Sequence, residues 1–371
     1  MLASRWLRGA LAAIAFAVIF ARPVLAAGVE ITVKPAKVFI EARELQQLNF
    51  EFEIQNSTSQ TFTLTRIELA VRDRSGVLSL NRDMDRSGAS PAIFTIAPDR
   101  EIAAGARGLI FNPFTTFPLG LDLAELRYRL TFETKGSPPT TLDATVRPES
   151  YRPKTDLILP LKGRVWAFHG HDLLAHHRRW NPLHPIAQSF GAVTIFARYA
   201  LDLAPVDAQG APRKTGAKSN DDYYGWGAEL RAPGAGVVAA AYDGDADDDL
   251  ATGQSSFNPE RLPKEPLHFY GNYVIVDHQN GEYSLLGHIQ HASLTVKVGD
   301  RVAQGQPIAK LGASGSAEFN PHLHYELRTN TTMSAEGLPA YFKNWRLLRG
   351  SRPIAVERGP IDTGEFVQSD R

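Results

Sequence analysis

The sequence of 371 residues contains no cysteine. This absence excludes a disulfide framework, a thiolate zinc site, an iron–sulfur cluster and a cysteine nucleophile. Histidine and carboxylate side chains therefore remain as the strong metal ligands. The chain also lacks a net charge, because 40 basic and 40 acidic side chains cancel. A neutral protein lacks the long-range attraction that nucleic-acid binders need, so we expect no nucleic-acid partner.

Long apolar runs are scarce, and the most prominent one lies near the N-terminus. Arg5 and Arg8 precede an apolar run over residues 11–20, and Val24 and Ala26 follow it as small residues. The run is shorter than the roughly 20 residues of a membrane-spanning helix. This arrangement is typical of a secretory signal peptide, here residues 1–26, and an uncleaved anchor is the alternative. We therefore expect a periplasmic or otherwise extracytoplasmic protein with no membrane span after signal removal.

Residues 27–150 are predicted to form an accessory β-sandwich of immunoglobulin-like type. Phe50, Phe52 and Ile54 alternate with polar residues, a pattern that indicates a strand with one buried face. Residues 61–71 and 126–132 have similar strand composition, and turn residues separate the runs. The segment contains no histidine, so we expect a spacer or binding role for it.

Residues 151–345 are predicted to form a second β-rich domain, with a C-terminal tail over residues 346–371. Short apolar runs alternate with turn signals such as Asn280-Gly281, and no helical period is sustained. All 11 histidines lie between His169 and His324. Any metal or acid–base chemistry should therefore lie in this part of the chain.

A His-x-His pair occurs in the strand-like segment 321–327, PHLHYEL. Strand alternation directs His322, His324 and Glu326 to one face. Neutral imidazole is a good ligand for Zn²⁺, but the pair alone does not distinguish a metal site from hydrogen-bonded core histidines. Residues 196–203 also alternate, which predicts a strand that presents Arg198 and Asp202 on one face.

The ordered motifs resemble the lysostaphin/LytM-type zinc metallopeptidases, which cut peptide bonds in peptidoglycan. The resemblance covers about residues 166–341 and depends on Asp202, GNYVIVDHQNGEYSLLGHI at 271–289, VKVGDRVAQGQPIAKLGASG at 296–315 and PHLHYEL at 321–327. It implies an antiparallel β-sheet with a groove. It also implies that Asp202 and His324 bind Zn²⁺ and that His288 and His322 assist catalysis.

One position departs from the family pattern. Most members have the first zinc-binding histidine four residues before the aspartate, where this chain has Arg198. A guanidinium has no lone pair to donate to a metal, so either the domain is metal-free or another histidine replaces it. One branch of the family has a His-Arg-Arg segment upstream, which here begins at His177. We therefore predict His177 as the third ligand, with His176 and then His171 as alternatives.

The sequence thus predicts an exported zinc endopeptidase that hydrolyses peptide bonds in peptidoglycan cross-links or stem peptides. Its Zn²⁺ ligands would be His177, Asp202 and His324, and Arg198 would pair with Asp202 or bind a substrate carboxylate. The alternative is a metal-free relative that binds cell-wall peptide or regulates a partner hydrolase. The accessory sandwich would position the peptidase domain or cover its groove.

Overall fold

The computed structural model describes residues 28–96, 100–316, 320–350 and 352–369. Within these ranges nearly all regular structure is β-strand, which confirms the prediction of a mainly β protein. None of the helices in the described ranges is long and apolar enough to cross a membrane. The predicted signal peptide lies outside the described residues.

Three sheets form the N-terminal part of the chain. The first has strand order β1-β4-β8, the second β11-β10-β5-β6 with β7 beside β5, and the third β12-β2-β3-β9. Their strands, with one short helix, are β1 (Val29–Lys34), β2 (Phe39–Ala42), β3 (Leu45–Leu48), β4 (Glu51–Asn56), β5 (Phe62–Arg72), β6 (Leu78–Asp85), α1 (Ile93–Ile96), β7 (Glu101–Ile102), β8 (Arg107–Phe111), β9 (Thr116–Pro118), β10 (Glu125–Thr134), β11 (Ser137–Val146) and β12 (Glu149–Ser150).

One apolar core joins the first two of these sheets. Phe52 and Ile54 of β4 are fully buried, as their alternation predicts, and the Phe52 ring lies 5.0 Å from the ring of Tyr128 on β10. Two sheets that share a core in this way form a sandwich, and the third sheet adds Leu48 and Phe117 to the same core, so we call the described residues of 28–150 together the N-terminal sandwich. Its immunoglobulin-like type stays a prediction. Glu51 departs from the alternation, since it is buried whereas Glu53 and Gln55 on the same face of β4 are partly exposed.

The C-terminal part is built around one large sheet of order β19-β16-β17-β18-β21-β14-β13-β25-β23-β24, in which β22 also pairs with β21. A small sheet pairs β15 with β20. The elements are β13 (Gly163–His169), α2 (Pro185–Ser189), β14 (Leu201–Pro205), β15 (Glu229–Arg231), β16 (Gly236–Tyr242), β17 (Tyr273–Asp277), β18 (Tyr283–Gly287), β19 (Arg301–Val302), β20 (Pro307–Lys310), β21 (Leu323–Arg328), β22 (Gly337–Leu338), β23 (Phe342–Arg349), β24 (Arg352–Gly359) and β25 (Phe366–Ser369), with 3₁₀ helices at Asn220–Asp222, Pro259–Arg261 and Pro266–Tyr270.

The strand pairs of the large sheet are antiparallel, as predicted. Leu323, Tyr325 and Leu327 of β21 enter its apolar core, so the opposite face of this strand presents the histidines. The predicted separate tail is wrong, because β23 and β25 belong to the same sheet and β25 pairs with β13. Leu347 and Val367 are buried in the common core.

Polar contacts join the N-terminal sandwich to the segments that lead into β23 and β25 of the large sheet. Arg43 donates to Asp362 at 2.7 Å and to Glu365 at 2.5 Å. The backbone N–H of Ala42 donates to the hydroxyl of Tyr341 at 3.0 Å. These contacts involve β2 and the turn after it, and they connect segments more than 290 residues apart in the sequence.

Candidate metal and catalytic site

Neighbouring strands of the large sheet place the predicted site residues side by side. Asp202 on β14 lies directly opposite His324 on β21. Gly287, the last residue of β18, lies opposite His324 from the other side, so His288 follows beside it. Residues far apart in the sequence therefore meet on one face because the strand register aligns them.

His324 contacts a carboxylate through each ring nitrogen. Nδ1 lies 3.1 Å from Oδ1 of Asp202, and Nε2 lies 2.9 Å from Oε1 of Glu326. Glu326 is buried and also accepts a hydrogen bond from the hydroxyl of Tyr270 at 3.0 Å. A carboxylate behind a histidine fixes the ring orientation and makes the imidazole a better metal ligand. The sequence pattern placed Glu326 on this face, but it did not identify Glu326 as the residue that orients the His324 ring.

His177 completes a group of three potential ligands. Its Nε2 lies 3.3 Å from Oδ2 of Asp202, and the ligand atoms of His177, Asp202 and His324 all lie within 4.8 Å of one another. All three residues are buried. Ligand bonds of about 2.0–2.2 Å in a tetrahedral site put neighbouring ligand atoms roughly 3.3–3.5 Å apart, which these spacings approach.

The hydrogen bonds of His177 indicate that a cation belongs in this group. Its Nδ1 lies 3.1 Å from the carbonyl oxygen of Gly170, which can only accept, so Nδ1 carries the hydrogen. Without a second proton on the ring, Nε2 presents a lone pair to Asp202, and with one the ring is a cation that attracts Asp202. Among the described residues this buried Nε2 has no hydrogen-bond partner. Two lone pairs at this distance repel unless a proton or metal ion lies between them, so the residues fit a metal centre.

The charge on Asp202 is favoured by the same histidines. Burial raises the pKa of its carboxyl, but attraction to His177 and His322 outweighs that and holds the pKa well below its ordinary value. Asp202 is therefore an anion over the physiological pH range. An ionised, buried carboxylate is the form that binds a divalent cation.

His288 and His322 lie next to this group, with ring centres 4.7 Å apart. Nδ1 of His288 donates to the carbonyl oxygen of Ser314 at 2.8 Å, and Nδ1 of His322 donates to that of Asn320 at 2.6 Å. Burial and the neighbouring His322 and His324 hold the pKa of His288 well below its ordinary value. The neutral ring therefore directs the lone pair of Nε2 away from Ser314, as a general base requires.

The structure separates the alternatives for the third ligand. The side chain of His176 is 56% exposed and its Nε2 lies 3.8 Å from Asp202, whereas the side chain of His177 is 3% exposed and lies nearer. His169, which sequence reasoning did not select, is paired with Asp202 in the sheet register, and its Nδ1 lies 3.4 Å from Oδ2. His169, His176 and Asp202 form a second, more exposed group of potential ligands. The signal for His169 was its place at the end of a strand beside β14.

The structure corrects the assignment of Arg198 to Asp202 or to substrate. Its side chain is 0% exposed, and its guanidinium binds both carboxylate oxygens of Glu51 on the N-terminal sandwich, with Nη2 to Oε1 at 2.8 Å. Nε donates to Glu336 at 2.6 Å. The predicted strand over 196–203 was too long, because the chain turns at 196–199 and β14 begins at Leu201. The alternation therefore does not extend to Arg198, which is buried against the sandwich.

His171, the last alternative for the third ligand, is also away from the metal group. Its Nε2 lies 2.7 Å from Oε2 of Glu41 on β2, and both side chains are buried. Burial lowers the pKa of His171, but the charge and hydrogen bond of Glu41, with Asp362 and Asp172 nearby, outweigh this and raise it. The pair therefore connects the chain before the His177 turn to the N-terminal sandwich.

We expect this pair to make stability depend on pH. Because the folded-state pKa of His171 is raised, its contribution is fully present below the unfolded value of about 6.5 and is lost as pH rises through the folded value. Below about pH 6.5 the parent should have a larger free energy of unfolding than His171→Gln. This difference should shrink as pH rises above 6.5, by about 1.4 kcal/mol in total for each unit by which folding raises the pKa of His171. Urea unfolding at several pH values measures this. Glu41→Gln should abolish the same dependence, and identical pH profiles for the parent and both variants would contradict the prediction.

A pocket of about 240 Å³ opens onto the histidines. Besides the histidines and Asp202, aromatic side chains form much of its lining, namely Trp180, Phe196, Phe257 and Phe269. The pocket therefore combines an apolar wall with the cluster of imidazoles and one carboxylate. An apolar lining with a few convergent polar groups is typical of a ligand-binding site.

Comparison with known proteins reveals a family relationship for part of the chain. Residues 224–335 match the model of peptidase family M23. The peptidoglycan DD-endopeptidase ShyC of Vibrio cholerae is 33% identical over 135 residues, which are 36% of this chain and 27% of that protein. The murein hydrolase activator EnvC of Escherichia coli is 45% identical over 62 residues, 17% of this chain and 14% of that protein. Each match thus spans under a third of the relative's length.

Among solved structures, the deep-sea M23 metalloprotease pseudoalterin is similar, with 13% identity, a TM-score of 0.27 and coverage of 57% of this chain and 99% of that one. The family match contains His288, His322 and His324, whereas His177 and Asp202 precede it. The sequence match to the family and the related peptidoglycan endopeptidase agree with the resemblance read from the motifs. Residues 224–335 of this chain therefore form a LytM-type domain of peptidase family M23.

Proposed function

We propose that this protein is an exported, zinc-dependent endopeptidase that hydrolyses peptide bonds in peptidoglycan cross-links or stem peptides. The observation that carries the proposal is the convergence of His177, Asp202 and His324, with an unpartnered, buried His177 Nε2 among the described residues. The membership of residues 224–335 in a peptidase family supports it.

His177, Asp202 and His324 would hold the metal through Nε2, a carboxylate oxygen and Nδ1, respectively. When bound there, Zn²⁺ supplies Lewis-acid polarisation of the scissile carbonyl and activation of water at neutral pH. Glu326 orients His324 by accepting a hydrogen bond at its other ring nitrogen. The protein thereby presents three ligands and leaves a fourth position open, as catalytic zinc sites do.

The proton transfers fall to His288 and His322. His288 is neutral and its Nδ1–H is held by the carbonyl of Ser314, so its Nε2 accepts the proton of the attacking water. His322, whose Nε2 lies 3.6 Å from Asp202, contacts the same reaction space and donates to the leaving amine or to the developing oxyanion. The aromatic wall of the pocket excludes water from one side of the site.

The proposed substrate and location rest on a relative's name and on the N-terminal sequence. A related protein is named a peptidoglycan DD-endopeptidase, and we carry that substrate class to this chain as part of the proposal. The N-terminal pattern over residues 1–26 supports export to the periplasm, where peptidoglycan lies.

A second candidate function is activation of a partner hydrolase. The similarity of a short segment to a protein named a murein hydrolase activator favours it. An activator needs no metal ligands, so the assembled group of His177, Asp202 and His324 favours the peptidase. Metal-free protein that stimulates another hydrolase would favour the activator.

Incubation of the purified protein with peptidoglycan tests the proposal. We expect new amino termini to appear in peptidoglycan and not in an unrelated unfolded protein, because the proposed substrate is a cell-wall peptide. The His288→Ala variant removes the proposed base without removing a metal ligand, so it should retain zinc and release amino termini at background level. The variant His184→Ala, at an exposed helix N-cap, should match the parent. Equal release of amino termini from peptidoglycan and from the unrelated protein would contradict the proposed specificity for the cell wall.

A further inference from the structure

The three proposed metal ligands are held in unequal ways. Asp202 and His324 lie on paired strands of the large sheet, whose ladder fixes their separation. His177 instead lies in turns over residues 171–179, between β13 and α2. Its position relative to Asp202 therefore depends on what the turn segment contacts.

Much of that contact comes from the N-terminal sandwich. His171 pairs with Glu41 at 2.7 Å, and Nη2 of Arg178, the residue after His177, donates to the carbonyl oxygen of Asn112 at 3.1 Å. Leu173 packs against the apolar core of the sandwich. The guanidinium of Arg179 lies over the ring of Phe111, 5.4 Å from its centre. Contacts with the sandwich therefore flank His177 on both sides in the sequence.

One side chain of the sandwich connects the two segments that carry His177 and Asp202. Asn49 is buried, and its Nδ2 donates to the carbonyl oxygen of Arg198 at 2.7 Å and to that of His171, more weakly, at 3.4 Å. Two residues later, Glu51 binds the guanidinium of Arg198. The same edge of the sandwich thus contacts the start of the His177 segment and the turn that leads into Asp202.

We propose that the N-terminal sandwich supports the metal centre from outside its ligand set, with Asn49 as a positioning residue that holds the His177 segment against the turn before Asp202. This inference rests on the proposed metal site and adds a structural requirement to it. The family match begins at residue 224, so neither the sandwich nor the His177 segment belongs to the matched M23 region. Metal affinity should accordingly depend on residues that touch no metal and lie outside that region.

The test compares two buried asparagines of the sandwich in the full chain. Asn49→Asp replaces the amide NH₂ that donates to two carbonyl groups by a carboxylate oxygen, which can only accept, in a side chain of the same shape. Asn56→Asp makes the same change where Nδ2 donates only within the sandwich, to the carbonyl groups of Gln60, Ile102 and Ala103. We expect Asn49→Asp to raise the zinc Kd by about 10–100-fold, the cost of losing a group that orients a ligand. Asn56→Asp should lower the melting temperature but leave the zinc Kd at the parent value.

Chelator competition gives the zinc Kd, and the visible absorption of Co²⁺-substituted protein reports ligand geometry. A shift of the Co²⁺ spectrum in Asn49→Asp but not in Asn56→Asp would support positioning, because lost stability alone changes both variants alike. Equal zinc Kd values in the two variants would overturn the inference and leave the metal site intact. A parent protein that binds no zinc would overturn the proposed metal site and the inference together. If Asn49→Asp does not fold, Asn49→Ser and Asn56→Ser provide the same comparison.

Discussion

The His177→Ala variant should bind zinc more weakly than the parent by more than about 100-fold, beyond the usual cost of losing a group behind a ligand. The physical reason is that His177 supplies the third ligand atom, the buried Nε2 that faces Asp202 at 3.3 Å. With two protein ligands left, the ion loses the set of three protein ligands that catalytic zinc sites use. Metal content after dialysis and a chelator-based Kd measure the effect, and peptidoglycan hydrolysis should fall to background.

His176→Ala is the matched control, since it removes a histidine one position away. Its side chain is mostly exposed and its nearest ring nitrogen lies 3.8 Å from Asp202, so zinc content and hydrolysis should stay near the parent values. The opposite ranking of the two variants would transfer the ligand assignment to His176 and the group that contains His169. Full zinc binding in both variants would show that neither histidine is required.

Arg198→Met should lower the free energy of unfolding by about 3–5 kcal/mol, the cost of leaving a buried partner charge unpaired. Arg198 is fully buried, and its removal leaves Glu51 in the interface without its cation. Burial already raises the pKa of Glu51 against the attraction of Arg198. Glu51 should therefore take up a proton in the variant, and stability should fall further as pH rises. Urea unfolding followed by tryptophan fluorescence provides the measurement.

The double variant Arg198→Met/Glu51→Leu is the control that distinguishes the effect of an unpaired Glu51 charge from the effect of lost Arg198 packing. Replacement of both partners of a buried ion pair by apolar groups is often neutral, so we expect it to recover most of the lost stability. Glu336, the other partner of Arg198, is partly exposed and can be hydrated. A double variant as unstable as Arg198→Met would indicate that the packing of the arginine, and not its charge, holds the interface.

Local patterns predicted the strands and the face of the site, because strand alternation depends only on neighbouring residues. The face of β21 that carries His324 and the buried face of β4 follow from period two. The structure also brings His177, Asp202 and His324 together, although their roles stay predictions. His177 was selected from the family resemblance and not from its spacing, because a local sequence pattern does not predict that a turn residue will lie beside a strand residue 25 positions later.

What the sequence did not reveal depends on contacts between distant segments. Glu51 lies on the polar face of a strand, and only the fold shows that the turn at 196–199 reaches this face, where Arg198 binds Glu51. The strands after residue 345 were predicted as a tail because nothing in their local pattern indicates a partner, whereas β25 pairs with β13 across 200 or more residues. His169 was overlooked because its closeness to Asp202 arises from strand register.

The buried pair of Arg198 and Glu51 limits how this protein can exchange parts during evolution. A peptidase half carrying Arg198, joined to a foreign sandwich, would bury a cation that keeps Glu336 but loses Glu51, and this sandwich joined to a foreign peptidase would bury Glu51 without Arg198. Either recombinant would begin with a large loss of stability. The two halves are therefore expected to be inherited together, and substitutions at positions 51 and 198 should occur as compensating pairs.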